Sequence, residues 1–394
     1  MKTNPVFSLH NIAGTAYLLP HGQGIADHQR GIRLNETGVF LWKTLHHITN
    51  YEELLACFAK YCDATAKDLP QLRQDLTDYL DQLFALGILL EEAPFYHHRT
   101  NLTDGSTCFQ IGPLHVRLIG PLKYIAAELL SFQTDDTAST DLTIVLKNTA
   151  FPLPEQRLLL IQNPELCVYE TVDQYAMQFP QMPHISGSLI FKSGSDATIY
   201  FNKPESESFC TDLFQVIRFL FLYTAQKHGC FVLHSASILY RGSAWLFSGH
   251  SGMGKSTHTN MWKELYHVPI LNGDLNLLAI TGGLPMVYGL PWCGTSGIFH
   301  TDAYPLGGII LLNQSTHDIC IELPMCQKIL LTAQRLISPA WNAGMLQCNL
   351  DFMTALAKQI QICLLKCTKN DTAARTIKHW IDQKLIPYHC EKNN

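Results

Sequence analysis

The chain has 394 residues, of which 47% are hydrophobic and 15% charged, a composition typical of a compact globular protein with room for about two or three domains. Its formal net charge of -5 argues against general electrostatic binding to nucleic acid, because such binding needs a basic face. The 13 cysteines form no CxxC pair, so the sequence indicates neither a zinc ribbon nor a disulfide framework.

Neither a signal peptide nor a membrane span is expected. The first residues, MKTNPVFSLHNIAG, lack the hydrophobic core of a signal peptide. The most apolar run, residues 214–225, is short and carries Arg218, so it predicts a core helix. We therefore expect a soluble, cytoplasmic protein with no membrane partner, whose cysteines are mostly buried or free thiols.

The first 92 residues predict a small domain. The apolar runs FSLHNIAGTAYLLP and IRLN predict short strands. Asn35 is the expected N-cap of a first helix, and two more helices are predicted over 51–62 and 68–86, the last closed by Gly87. ILLEE then predicts a strand. Strands, three helices and a closing strand describe a winged helix-turn-helix.

A second, larger domain follows a loop-like stretch. Residues 94–107 are the predicted linker, because they are rich in turn-forming residues. From 108 to 390 the chain alternates apolar runs that predict strands with patterns that predict helices. The helices are expected near 207–228, 325–337 and 350–361. The larger domain is therefore expected to be a mixed α/β structure.

Residues 245–262, WLFSGHSGMGKSTHTNMW, contain the pattern G-x-x-x-x-G-K-[ST] as Gly249, Gly254, Lys255 and Ser256. The glycines permit a loop whose amide N–H groups turn inward around a phosphate. Lys255 can reach the β- and γ-phosphate oxygens, and the Ser256 hydroxyl can ligate Mg²⁺. A strand is predicted before the loop and a helix after it. The pattern therefore predicts nucleotide binding; the alternative is an ordinary glycine-rich turn.

An acid that serves the metal ion or the attacking hydroxyl is expected close to such a loop. Asp274 follows the apolar run VPILN and is the candidate. The alternative is that 272–274, Asn-Gly-Asp, is only a turn between two short strands. The loop favours the functional interpretation, because it needs an acidic partner.

Three further features lie near the motif in the sequence. His234, in FVLHSAS, ends a strand just before the loop strand, so adjacent strands could bring it near the phosphate. The segment 289–297, GLPWCGTSG, is a Gly/Pro-rich loop with potential backbone donors. Arg241 is a candidate charge clamp, with an exposed hairpin arginine as the alternative.

Together these segments resemble the HPr kinase/phosphorylase family and its phosphoenolpyruvate-carboxykinase-like relatives. The matching order is LHSAS, a strand, FSGHSGMGKST and ILNGD, over about residues 108–390. The GLPWCG loop and the ending LLKCTKNDTAARTIKHWI resemble relatives found in peptide-modifying gene clusters. The resemblance implies a P-loop, mixed-sheet α/β domain (α+β for the whole chain) with a C-terminal extension of helix and strand.

In that family the loop binds ATP and Mg²⁺, and the γ-phosphate passes to a protein serine. The resemblance implies Asp274, His234 and Lys255 as catalytic residues, with Ser256 and Asp274 at the metal ion. The residues implied to bind the nucleotide are Gly249, His250, Ser251, Gly252, Met253, Gly254, Lys255, Ser256 and Thr257.

The sequence departs from the family at one position. The family carries two adjacent acids after this strand, one for the metal ion and one as the base, whereas this chain has Gly273 and Asp274. Either one carboxylate does both jobs, another residue substitutes, or the activity is weakened. The longer recognition loop of the HPr-specific enzymes is not recognised, so HPr is not the expected substrate.

Residues 1–93 resemble a different family, the PqqD-like peptide-recognition domains of ribosomal peptide (RiPP) biosynthesis. The match runs through GIRLNETGVFLWKTL, YEELLACFAKYCDA and DLPQLRQDLTDYLDQLFALGILLE. Such domains bind a leader peptide as an added strand, which implies a contact strip in the early strands and around Leu72–Leu83. A winged-helix DNA binder is the alternative, but Arg73 is the single basic residue of the third helix.

The two resemblances predict an ATP-dependent RiPP kinase that captures a precursor's leader peptide and phosphorylates a Ser or Thr hydroxyl of that precursor. The phosphate is either the final product or an activation for a later step. Two alternatives stay open: a kinase of a small hydroxylated molecule, and a nucleotide-gated adaptor without transferase activity. Other peptide-modifying enzymes are expected partners, nucleic acid is not, and a homo-oligomer is left open.

Overall fold

A computed structural model divides the chain into two compact units, Met1–Tyr96 and His97–Asn394. The residues that it describes are 2–4, 7–12, 15–20, 31–48, 50–65, 68–90, 104–136, 139–202, 207–250 and 252–385. The predicted linker, 94–107, lies outside the described residues as far as position 103, and its remaining residues already belong to a strand. None of the described helices is long and apolar enough to cross a membrane.

The described residues of the first unit form two small sheets and three helices. Its strands are β1 (Lys2–Thr3), β2 (Phe7–Ile12), β3 (Thr15–Pro20), β4 (Ile32–Leu34) and β5 (Leu89–Leu90). Its helices are α1 (Glu36–Leu45), α2 (Tyr51–Tyr61) and α3 (Leu69–Ala85). Antiparallel pairing gives the order β2-β3-β4 in one sheet and joins β1 to β5 in the other.

Asparagine and glycine fix the helix ends of this unit. The Asn35 Oδ1 accepts the N–H of Gly38 at 2.7 Å, which confirms the predicted N-cap of α1. Asn50 caps α2 by accepting N–H groups from its first turn. After α3, Gly87 adopts φ 66 and donates its N–H to the Phe84 carbonyl, as expected of a glycine that closes a helix.

A leucine stripe on α3 forms much of the core of the first unit. Leu76, Leu80 and Leu83 are 0%, 4% and 1% exposed, and they pack with residues of α1 and α2. Burial of each such side chain contributes about 1.5–3 kcal/mol. Within the predicted contact strip Leu72–Leu83, these three leucines are therefore core residues, and a peptide could reach only the rest of that helix.

A nine-stranded sheet opens the second unit. Its strands are β6 (Asp104–Ile111), β7 (Leu114–Pro121), β8 (Gln133–Thr134), β9 (Leu142–Lys147), β10 (Leu158–Gln162), β11 (Cys167–Glu170), β12 (Gln174–Gln178), β13 (Ile185–Phe191) and β14 (Asp196–Phe201). Their order is β10-β11-β12-β13-β14-β9-β7-β6-β8. Pairing is antiparallel, except that β9 lies parallel to both of its neighbours. A short helix, α4 (Ala127–Leu130), precedes β8.

An eight-stranded sheet carries the glycine motif. Its strands are β15 (Phe231–Tyr240), β16 (Ser243–Ser248), β17 (Ile270–Asn272), β18 (Leu275–Thr281), β19 (Leu284–Tyr288), β20 (Ala303–Gln314), β21 (Ile319–Glu322) and β22 (Gln361–Cys367). The order is β16-β15-β18-β19-β20-β22-β21, with β17 paired to β15. Because β20 lies parallel to both β16 and β22, these three strands form a parallel core whose carboxyl ends meet at one edge.

The long helices of the second unit are α5 (Glu207–Lys227), α6 (Lys255–Tyr266), α7 (Met325–Ala333), α8 (Ala343–Ala357) and α9 (Asp371–Leu385). The predicted helix 325–337 was too long: it ends at Ala333, and Ile337 already donates its N–H to β15. The predicted helix 350–361 was misplaced. The Asn342 side chain starts α8 earlier by accepting the N–H of Met345.

The helix α5 packs as the core helix predicted for 214–225. Leu213, Leu220 and Phe221 are 0% exposed, and they pack in one cluster with Ile144 of β9 and Leu277 of β18. Both sheets of the second unit therefore contribute to one hydrophobic core around α5. This packing fixes the helix that carries Arg218.

Candidate functional site

A glycine loop connects β16 to α6 at the carboxyl edge of the parallel core. Gly252 and Gly254 adopt φ 75 and φ 95, conformations that residues with a Cβ atom rarely adopt. Gln314 of β20 holds the loop, because its Nε2 donates to the Gly252 carbonyl at 3.0 Å. The predicted strand and helix are present on both sides of the motif. Ser251, a predicted nucleotide ligand, lies outside the described residues.

The helix α6 begins without a side-chain cap. Its N-cap is Gly254, and its first turn contains no acidic residue. By contrast, Asn35, Asn50 and Asn342 cap α1, α2 and α8 through their side chains. The N–H groups of the first turn of α6 therefore remain available to another acceptor, and the helix dipole favours a negative one.

Lys255 is the first residue of α6. Its Nζ donates to the Gly249 carbonyl at 3.4 Å, a long contact that engages one of three donors. Burial lowers the pKa of Lys255, the charge of Asp274 raises it, and the charge of Arg335 lowers it further. The two hydroxyl residues of the motif that follow are exposed: Ser256 and Thr257.

Asp274 lies between β17 and β18 and faces His234 on the neighbouring strand β15. The backbone brings them together, because His234 pairs with Leu275 and the Ser235 N–H donates to the Asp274 carbonyl at 2.8 Å. The His234 Nε2 lies 3.0 Å from the Asp274 Oδ1. Asp274 does occupy a turn between short strands, and that turn holds the acid against the histidine.

Neighbouring groups keep the carboxyl group of Asp274 ionised. Burial raises its pKa, but the hydrogen bond with His234 and the positive charges of Lys255 and Arg218 lower it more, so that the pKa lies below its usual value. At neutral pH the group is therefore a carboxylate, the form that accepts a proton or binds a metal ion.

Buried polar side chains support the turn that carries Asp274. Ser235, Ser237, Asn272 and Asn276 are all 0% exposed. The Asn276 Nδ2 donates to the Ser235 carbonyl at 2.6 Å, and the Ser237 Oγ donates to the Asn276 Oδ1 at 2.7 Å. The Ser237 Oγ also accepts the N–H of Asn272 at 3.0 Å. Because buried polar groups are costly when unpaired, this network fixes the register of the strands around Asp274.

The predicted loop 289–297 packs against Asp274. Gly294 adopts φ 62, and a Cβ atom there would lie 3.0 Å from the Asp274 Cγ. Trp292 anchors the loop on α5: its ring stacks on that of Phe214 at 5.5 Å, and its Nε1 donates to the Phe214 carbonyl at 3.0 Å. The loop therefore joins α5 to the acidic side of the site.

The same loop explains the missing second acid. A Cβ atom on Gly273 would overlap the Ser296 Oγ, so no larger residue fits there unless the loop moves. Ser296 is itself fixed, because its Oγ donates to the Cys293 carbonyl at 2.7 Å. Position 273 therefore has no space for a carboxylate, and Asp274 is the acid that this turn supplies.

Arg241, the candidate charge clamp, lies in the exposed turn between β15 and β16. It adopts φ 51, and its Nη2 pairs with the Asp382 Oδ1 of α9 at 3.1 Å. The structure therefore favours the hairpin alternative.

Sequence reasoning did not assign Arg218 to the site. Arg218 lies on α5, one helical turn after Phe214, and its buried Nε has no hydrogen-bond partner. Burial lowers its pKa, while the charges of Asp274 and Glu165 raise it. The sequence did contain a signal, since Arg218 is the single charged residue of an apolar helical run. A buried cation needs a compensating partner, which pointed to an acid nearby.

Arg335 was also missed. It follows α7, and its Nη1 donates to the His250 Nδ1 of the glycine loop at 3.1 Å. Its buried Nε has no hydrogen-bond partner, and burial lowers its pKa. His250 is 85 positions away in the chain, so no local pattern could have associated the two residues.

The donor set fits a magnesium ion that arrives with a nucleotide. In the described part of the chain, no group of three or more His, Cys, Asp or Glu side chains is arranged to hold a metal ion. Mg²⁺ needs no such group, because one or two protein oxygens, waters and substrate phosphates commonly complete its shell. The Ser256 hydroxyl and the Asp274 carboxylate are oxygen donors of this kind.

Comparison with known proteins identifies no family for this chain. No protein-family model matches it. No curated protein matches it either. Among solved structures, it is similar to the Hpr(Ser) kinase/phosphatase from Coxiella burnetii, with 7% sequence identity and a TM-score of 0.25, over 41% of this chain and 99% of that one. At a TM-score this low, the similarity indicates no function for this chain.

Proposed function

We propose that this chain is an ATP-dependent kinase that transfers the γ-phosphate to a hydroxyl group. One observation carries the proposal. Lys255 begins a helix whose start has no side-chain cap, and its charge acts on the carboxylate of Asp274, which makes a hydrogen-bond contact with His234. Phosphoryl transfer needs these parts together, because amides and a cation bind phosphates while a carboxylate positions the attacking hydroxyl. An ordinary glycine-rich turn needs none of them.

The motif residues Gly249–Thr257 would hold the phosphates of ATP through loop and helix amides. Two features support this fit: α6 lacks a side-chain cap, and a Cβ atom on Gly254 would have Thr257 as its nearest neighbour, at 3.9 Å. Ser256 and Asp274 would supply the protein oxygens for Mg²⁺. Mg²⁺ held there would supply positive charge that stabilises the phosphates during transfer.

Asp274 would act on the acceptor hydroxyl. A bond forms between the acceptor oxygen and the γ-phosphorus while the bond to the departing ADP oxygen breaks, and the hydroxyl proton passes to the Asp274 carboxylate. The contact with His234 engages Oδ1 and orients the carboxylate, whose remaining lone pairs would serve the metal ion and the acceptor hydroxyl. Lys255 and the amides of the loop would stabilise the charge on the transferring group.

We further propose that the acceptor is a Ser or Thr of a precursor peptide whose leader binds the first unit, a PqqD-like winged-helix domain of RiPP biosynthesis. Among the described strands, β2 and β4 are the outer strands of the three-stranded sheet, so an extended leader could add a strand there. Tethering would raise the local acceptor concentration to about millimolar. The kinase site would then need little affinity of its own for the peptide.

The charge of α3 supports a peptide-binding role over binding of duplex DNA. Arg73, the single basic residue of α3, is paired with Glu52 at 2.7 Å. Three carboxylates are exposed on the same helix: Asp75, Asp78 and Asp81. A recognition helix with this surface would place like charge against DNA phosphates.

A second function is favoured by the closure of position 273 by Ser296. With one acid at the turn, the chain could bind nucleotide and peptide without transferring phosphate. It would then be a nucleotide-gated adaptor that delivers the precursor to another peptide-modifying enzyme.

The intact mass of a candidate precursor, encoded beside the gene for this chain, separates the functions after incubation with ATP and Mg²⁺. A kinase adds one phosphate, whereas an adaptor binds the peptide and leaves its mass unchanged. Consumption of ATP with a small hydroxylated molecule, and no change in the peptide, would indicate the small-molecule kinase.

Asp274→Asn is the matched variant for this test, because it keeps the size of the side chain and removes the acid. We expect its rate of phosphorylation to fall by at least about 100-fold. Undiminished phosphorylation by this variant would show that Asp274 is not the base.

A further inference from the structure

The proposed function leaves Arg335 without a role. The backbone of Arg335 is fixed on both sides: its N–H donates to the Thr332 carbonyl at 2.9 Å, and its carbonyl accepts the N–H of His234 at 2.9 Å. The side chain of the same histidine contacts Asp274. Arg335 therefore lies on the side of the glycine loop where the proposed base is.

The side chain of Arg335 is held against the glycine loop. Its Nη1 donates to the His250 Nδ1 at 3.1 Å, and since a guanidinium can only donate, the imidazole nitrogen is the acceptor. His250 directly follows Gly249, the first residue of the motif. One nitrogen of the guanidinium is thereby tied to the start of the loop.

The other donors of Arg335 lack an anionic partner. Its Nε is buried without a hydrogen-bond partner, and no described acidic side chain lies within ion-pair distance of it. Its charge also acts on Lys255 and lowers the pKa of that ammonium group. Asp274 compensates part of the charge of Lys255, whereas no carboxylate acts on Arg335. An anion bound beside both cations would therefore stabilise them.

We propose that Arg335 binds the terminal phosphate of the nucleotide and, with Lys255, makes the site selective for a nucleoside triphosphate over a diphosphate. This inference rests on the proposed nucleotide site. Loop amides bind phosphates that ATP and ADP share, whereas an added cation on the side of Asp274 meets the phosphate that is transferred. The alternative is a structural role, in which Arg335 only holds His250 and the loop.

Calorimetric titration of the full-length chain with AMP-PNP and with ADP, each with Mg²⁺, distinguishes the two roles. In the unmodified chain we expect AMP-PNP to bind at least about 10-fold more tightly than ADP. Arg335→Gln should weaken AMP-PNP about 10- to 100-fold and ADP less than about threefold. Arg335→Lys, which keeps the charge but not the fork of donors, should fall between.

Arg157→Gln is the matched control. Arg157 is exposed in the second unit, and its Nη1 donates to the Pro154 carbonyl at 2.6 Å, so this variant should leave both affinities unchanged. Equal weakening of AMP-PNP and ADP by Arg335→Gln would overturn the inference in favour of the structural role. Equal affinity of the unmodified chain for both nucleotides would overturn it even if the variant failed to fold. Binding of neither nucleotide would overturn the proposed function itself.

Discussion

The two units of this protein treat charge in opposite ways. The described residues of the first unit include no buried polar or charged side chain, and an ion pair such as Arg73–Glu52 is exposed. In the second unit, Lys255, Asp274 and Arg218 are half-buried, and the charges of Lys255 and Arg218 act on the Asp274 carboxylate. Because burial of charge is costly, it is found mainly where function requires it. The contrast agrees with our proposal that the second unit carries out the chemistry and the first unit binds the precursor.

Lys255→Ala should produce the largest effect and sharpen this contrast. Without the ammonium group, the charge on the transferring phosphate is stabilised less, so phosphorylation should fall by at least about 100-fold in a single-turnover assay. Binding of the precursor to the first unit, measured by fluorescence anisotropy, should change by less than about twofold. Loss of both phosphorylation and precursor binding in this variant would contradict the assignment of these two properties to separate units.

Gly294→Ala should have an intermediate effect, through the position of Asp274. The φ of 62 strains an alanine, and its Cβ would press on the Asp274 carboxyl, so we expect the rate to fall about 10- to 100-fold. Gly242→Ala is the matched control, because Gly242 has φ 76 and a methyl group added there would have no neighbour within 4 Å. It should carry a similar backbone strain without a loss of rate. Equal rates of phosphorylation by Gly294→Ala and Gly242→Ala would contradict the role of the 289–297 loop in positioning Asp274.

Arg241→Gln should have the smallest effect. Arg241 pairs with Asp382 on the surface, away from the loop that Arg335 contacts, so the affinity for AMP-PNP should not change. A loss of affinity comparable to that expected of Arg335→Gln would reinstate Arg241 as the charge clamp. Titration of both variants under one condition makes the comparison.

Parts of the site could be predicted from the sequence because they depend on short-range patterns. The motif from Gly249 to Ser256 specifies its own loop, since its glycines and the flanking apolar strand and helix are contiguous. His234 was predicted to end a strand, but it lies inside β15, because that strand continues to Tyr240. It could still be associated with Asp274, because neighbouring strands bring such residues together. Asn35 as a cap is local in the same way.

The remainder depends on packing between distant segments. Arg335 reaches His250 because the segment after α7 runs beside β15, which no local pattern encodes. Ser296 fills the space beside Gly273 because Trp292, in the same loop as Ser296, anchors that loop on α5. The sequence alone shows that the second acid is absent but not that its place is filled. The start of α8 was missed for the same kind of reason, since the Asn342 cap outweighed local propensity.

The most direct test of the account compares a precursor peptide with the same peptide lacking its leader, in the initial rate of phosphorylation by the full-length chain. We expect loss of the leader to raise KM by about 100-fold or more and to change the saturating rate little, because the first unit would supply affinity and the second would supply chemistry. An unchanged KM, or no phosphate on either peptide at any concentration, would contradict it.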